Sequence, residues 1–136
     1  MKELQSKSYD VVLGGGAAAT AARTANIDIA GVHNVAILVN LGAELNTNST
    51  NVVLALSDSD TTVATTFATF NAVFNRTVDN TGAIVAVNHI ACNGRKRYLR
   101  LTVTPDTTTN GVVLTSAIAV LDKEVHDLVN APVAVG

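Results

Sequence analysis

The chain has no tryptophan, one methionine, one cysteine and two prolines, and its only aromatic residues are two tyrosines and three phenylalanines. Each scarcity excludes something. A lone Cys92 rules out an intramolecular disulfide, so the fold is held without a covalent staple whatever the redox compartment. With 136 residues the chain can bury roughly 65% of its unfolded surface in one core, and one domain of this size needs no metal to hold it. Nine Lys and Arg against eleven Asp and Glu give a net charge of −2. That balance argues against a domain that coats nucleic acid, which needs a general excess of basic residues to displace counterions. No run approaches about 18 apolar residues, and Met1 to Lys7 lacks the apolar centre of a signal peptide, so neither a membrane span nor standard export is expected.

What is abundant points to strands. The apolar fraction of 48% is made mostly of Ala and Val, which predicts a core of small side chains. Thr and Val suit a pleated surface because of their branched Cβ, and Asn and Gly suit turns, so the composition leans all-β. The clearest two-residue alternation runs from Gly94 to Pro105 and is read as a central strand. Arg97, Leu99, Leu101 and Val103 share its core face, with Arg97 at the rim, and Lys96, Tyr98, Arg100, Thr102 and Thr104 share the other.

Along the rest of the chain, alternation or apolar runs predict strands ending near Ile29, over 33–41, 51–57, 83–90 and 112–121. Ala36 and Leu38, on the second face of their strand, imply burial on both sides. Phe67, Phe70 and Phe74 recur at helical spacing, but the interleaved threonines favour an irregular, broken strand whose three rings enter the core. The expectation is a single-domain β-sandwich or jelly-roll-like fold over residues 20–121. A Gly/Ala-rich N-terminal arm over 1–19 and a C-terminal tail over 122–136 flank it.

Several motifs suggest chemistry. Gly14, Gly16 and Ala19 fit the G-x-G-x-x-G/A fingerprint of dinucleotide binding, but the following stretch alternates at period two and no βαβ crossover follows, so a glycine-rich connector is the better reading. Cys92 with His33, His89 and His126 offers a nucleophile with a base, or metal donors, yet no ligand spacing such as C-x-x-C is present. Asp58 and Asp60 carry oxygen ligands without the glycine and closing glutamate of an EF-hand, and read as a solvated turn. No hydrolase, zinc-protease or phosphate-loop motif appears, so no enzyme, metal or cofactor is expected. Arg95, Lys96, Tyr98 and Arg100 are the candidate partner-contact residues. A basic strand end suits carboxylates of a protein partner, a glycan or phosphate, and equally suits a solvated end paired with the chain's own Asp and Glu.

The strand Val35 to Val39, the segment Leu56-Ser57-Asp58-Ser59-Asp60-Thr61-Thr62, the segment Gly94 to Val103 and the final Ala/Val strand occur in an order that resembles the small jelly-roll-like decoration, or cement, proteins of tailed bacteriophage capsids. The resemblance covers roughly residues 30–121, and Lys96-Arg97-Tyr98-Leu99-Arg100 is its best match. The chain departs at Val63, where an aromatic is usual in that family. The resemblance implies a structural virion protein on the outer surface of the phage head that bridges subunits of the major capsid protein. It also implies a homo-oligomer, a dimer or trimer, with neither nucleic acid nor membrane as partner. A carbohydrate- or receptor-binding β-sandwich is the alternative.

Overall fold

A computed structural model describes residues 7–18, 22–45, 49–105 and 112–123. Eight strands follow in order: β1 (Lys7–Ala18), β2 (Arg23–Asp28), β3 (Val32–Glu44), β4 (Ser49–Ser59), β5 (Ala68–Asp79), β6 (Ile84–Ala91), β7 (Tyr98–Pro105) and β8 (Val113–Lys123). A 3₁₀ turn, Ala64–Thr66, sits between β4 and β5. Sheet I has the strand order β1-β8-β3-β6 and sheet II the order β2-β7-β4-β5, with every pairing antiparallel. First pairs with last, second with seventh, third with sixth and fourth with fifth, as in one long hairpin. Rolling that hairpin brings β8 against β3 and β7 against β4, which is the double-sheet jelly roll.

The alternation read from sequence becomes the core. Val35, Ile37, Val39 and Leu41 of β3 point inward, as do Val52, Leu54 and Leu56 of β4 and Leu99, Leu101 and Val103 of β7. Sheet I adds Ala86, Ala117 and Ala119, and all of these belong to one buried cluster. The alanines of β6 and β8 leave room for the leucines of sheet II.

Three expectations need correction. The expected arm over 1–19 is, from Lys7 to Ala18, an edge strand paired with β8, so the sandwich reaches from Lys7 to Lys123. Its alternation is disguised because the register shifts between Val11 and Leu13 and again between Leu13 and Gly16, and an extra residue in one strand flips the faces that follow. The central strand starts at Tyr98, since Gly94 has φ +79° and Arg95 N–H closes a turn onto the Cys92 carbonyl at 3.0 Å. Phe67 lies half-exposed on the surface, whereas Phe70 packs against the core cluster. The Phe74 side chain, residues 1–6, His126 and the tail beyond Lys123 lie outside the described residues.

One arginine ties the two sheets together. Arg23, at the start of β2 in sheet II, donates Nη1 to the Thr115 carbonyl at 2.7 Å, to Thr115 Oγ1 at 2.8 Å and to the Gly16 carbonyl at 3.2 Å, and Nη2 to the Gly14 carbonyl at 2.7 Å. A Cβ on Gly16 would stand 3.1 Å from the Arg23 guanidinium carbon, so the glycine makes room for this contact.

Candidate functional site

The basic cluster lies at one end of the sandwich, where the β6–β7 connection meets the end of β4. Register across β4 and β7 sets Ser57 opposite Arg100, Asp58 opposite Leu99 and Ser59 opposite Tyr98. Two of the four segments that carry the sequence resemblance, 56–62 and 94–103, therefore meet on adjacent strands. Asp58 shares the inward face of Leu99, is only 7% exposed, accepts Lys96 N–H at 3.3 Å through Oδ2 and forms an ion pair with Arg95 Nη1 at 3.4 Å. It is not the solvated turn expected from sequence. Ser59 Oγ, 2.5 Å from Thr66 Oγ1, and Thr61 Oγ1, 2.9 Å from the same atom, hold the β4–β5 connection over the strand end.

Each arginine of the cluster lies over a ring, and each also meets an oxygen, Arg95 as an ion pair and the other two through hydrogen bonds. Arg95 stands 4.2 Å from the centroid of Phe70 and pairs with Asp58. Arg97 stands 5.1 Å from the Tyr98 ring and grips Asp28 with two hydrogen bonds, Nε to Oδ1 at 3.2 Å and Nη2 to Oδ2 at 3.0 Å. Arg100 stands 3.9 Å from the Phe67 ring, donates Nε to Asn26 Oδ1 at 2.8 Å and reaches the Ala64 carbonyl at 3.5 Å. A guanidinium suits both roles, because its plane stacks while its edge donates. Hydrogen bonding from Arg97 holds the Asp28 carboxyl below its ordinary range, and Asp28 in turn raises Arg97.

Of the four candidate contact residues, Arg95, Tyr98 and Arg100 are half-buried, and Lys96 is exposed. Asn26 and Asp28, both exposed on β2, are the partners that the sequence could not name. That pairing depends on the register of β2 against β7, in which Asn26 opposes Arg100 and Asp28 opposes Tyr98.

Of the two described histidines, His33 lies beside Cys92 and His89 does not. Cys92 N–H donates to the His33 carbonyl at 2.8 Å, and both residues line an open depression of about 420 Å³ with Gly31, Val32 and Asn93. His89 instead opposes Ala36 on β3, away from the cysteine. Burial pushes the Cys92 thiol up from its ordinary value, and its Sγ donates to the Ile90 carbonyl at 3.9 Å. A thiol held protonated is not an activated nucleophile. Among the described residues no three His, Cys, Asp or Glu side chains gather as metal donors.

No protein-family model matches the chain, and no curated protein matches it in sequence. Solved structures share its architecture. The CBM22-2 xylan-binding domain of Paenibacillus barcinonensis Xyn10C superposes with a TM-score of 0.52 at 8% identity, covering 88% of this chain and 93% of that one. Arthrobacter globiformis T6 isomalto-dextranase gives 0.54 at 10% identity over 88% of this chain, but only 23% of the enzyme. The C-terminal family 22 carbohydrate-binding module of Clostridium thermocellum Xyn10B gives 0.50 at 12% identity over 73% of this chain, which spans 63% of that structure. At these identities the likeness is one of fold.

Proposed function

We propose that this protein is a capsid decoration protein, which seats on the outer surface of a phage head and bridges subunits of the major capsid protein. The observation that carries the reading is the use made of two of the segments behind the sequence resemblance, 56–62 and 94–103. They lie side by side, and Asp58 of the first is tied to Arg95 and to Lys96 N–H of the second. Residues used in this way stiffen one end of a sandwich. A bridging protein requires that stiffness and no reacting group, because simultaneous contacts with several subunits raise the effective concentration of each further contact. We assign the chain no reaction, metal or cofactor. Lys96, with Arg95, Tyr98 and Arg100 behind it, is the proposed contact with the capsid.

The test is to sediment purified protein with undecorated heads. Saturable co-sedimentation, weakened by Lys96→Glu, is expected; absence of any co-sedimentation at saturating protein overturns the reading. A second reading is a carbohydrate-binding module. It is favoured by the polar outer face of sheet II, where Tyr98 and Arg100 stand among Thr102, Thr104 and Asn26. Against it, the rings of Phe67 and Phe70 already carry guanidinium groups. Binding on a glycan array that is lost in Tyr98→Ala would establish that second reading.

A further inference from the structure

The three arginines of the basic cluster differ in what balances their charge. Arg95 pairs with Asp58 and Arg97 with Asp28. Arg100 pairs with no carboxylate among the described residues, because its acceptors, Asn26 Oδ1 at 2.8 Å and the Ala64 carbonyl at 3.5 Å, are both neutral. Its Nη2 donates to no described residue. Asn26, exposed on β2, uses its Oδ1 for Arg100, and its Nδ2 likewise has no described acceptor. Two sets of donors therefore lie side by side on the outer face of sheet II, where register sets Asn26 opposite Arg100.

The guanidinium is nonetheless fixed. The Phe67 ring centroid lies 3.9 Å from its central carbon, and the Ala64 carbonyl that meets Nη1 belongs to the 3₁₀ turn between β4 and β5. That turn is pinned through Thr66 Oγ1, which meets Ser59 Oγ and Thr61 Oγ1 and donates to the Val63 carbonyl at 2.7 Å. A long side chain ordinarily gives up rotamer freedom when it binds, and one already held by a ring and two acceptors has little left to lose. An unbalanced charge oriented before any ligand arrives has the form of a recognition site.

We propose that Arg100, with the Asn26 amide beside it, receives one carboxylate from the partner, an Asp or Glu side chain of the capsid protein; the proposal rests on the decoration reading and singles out Arg100 within the basic cluster. A planar carboxylate matches the guanidinium edge. One unbalanced positive charge also matches one negative charge. The second charge of a phosphate would go unbalanced, with Asp28 two residues along β2 on the same face. A uronic-acid glycan brings the same carboxylate, but its sugar ring would need a bare aromatic face. Phe67 already lies under Arg100, and Tyr98 has Arg97 at 5.1 Å.

The experiment is head sedimentation with four chains: wild type, Arg100→Gln, Arg97→Gln and Asn26→Asp, with circular dichroism as the check on folding. Asn26→Asp supplies Arg100 with a carboxylate of its own, so the fold keeps the contact and the site is filled from within. Arg100→Gln and Asn26→Asp should each bind heads at least about tenfold more weakly, whereas Arg97→Gln, which removes the same formal charge from an exposed pair, should stay within about twofold of wild type. A purely structural Arg100 would tolerate Asn26→Asp. Saturable wild-type binding that Asn26→Asp leaves unchanged, or that Arg100→Gln weakens no more than Arg97→Gln does, overturns the proposal and leaves the decoration role standing. Heads that take up no wild-type protein overturn both. Binding of polygalacturonate instead of heads, lost in Arg100→Gln, also overturns both and gives the site to an acidic glycan.

Discussion

The Asp58 carboxylate and the Arg95 guanidinium, 3.4 Å apart, join the end of β4 to the connection that enters β7. The carboxylate is largely buried and also holds Lys96 N–H. Asp58→Ala would leave Lys96 N–H without its acceptor and Arg95 without its counter-ion. The expected cost is about 1 to 3 kcal/mol, the usual range for removing one partner of a buried hydrogen-bonded group. Urea denaturation of the variant checks this, with a lower midpoint at unchanged slope as the predicted result.

Arg23 gives a second prediction. Its guanidinium makes four hydrogen bonds to Gly14, Gly16 and Thr115, so Arg23→Ala loosens the β1 edge from the rest of the sandwich. Hydrogen exchange should accelerate in β1 and the start of β8 while β4 and β7 stay protected. Arg23→Lys should not restore protection, because an ammonium cannot spread its donors over the same fork of acceptors.

These contacts mark the limit of what the sequence displays. Strands β3, β4, β7 and β8 are legible because Leu99 to Val103 alternates and Val35 to Val39, Val52 to Leu56 and Val113 to Leu121 are largely apolar runs of strand formers, and burial alternates along all four. Strand β1 is hidden because three glycines supply no pattern and two register shifts break what remains. The basic cluster is visible as composition, but its partners are not. Arg97 meets Asp28 across 69 residues and Arg100 meets Asn26 across 74, distances that only strand register closes. Phe67 reads as core from its size alone, whereas in the fold Arg100 covers it at the surface.

Acid should act through Asp28. Its carboxyl is held below the ordinary value of 3.8 chiefly by the hydrogen bond from Arg97, so the stability it adds is present above that value and is lost as pH falls through the lowered one. The pair is exposed, and its contribution is small and screened by salt. A gap in Tm between wild type and Asp28→Asn is expected at pH 7. It should close as the pH drops below 3.8, and should narrow at pH 7 in roughly 1 M salt, where the Debye length is about 3 Å.

Cys92 should be inert in the native protein. Burial keeps the thiol protonated, so an alkylating reagent at pH 8 is expected to label the folded chain slowly and the urea-unfolded chain at the rate of a free cysteine. Rapid native labelling would contradict the burial.

The most direct test of the account is the rupture temperature of undecorated phage heads titrated with the protein. If the chain bridges capsid subunits, the rupture temperature rises with occupancy and levels off at saturation, because each bound copy favours the intact shell over its separated subunits. Heads that take up the protein to saturation yet rupture at the temperature of bare heads would contradict the bridging role.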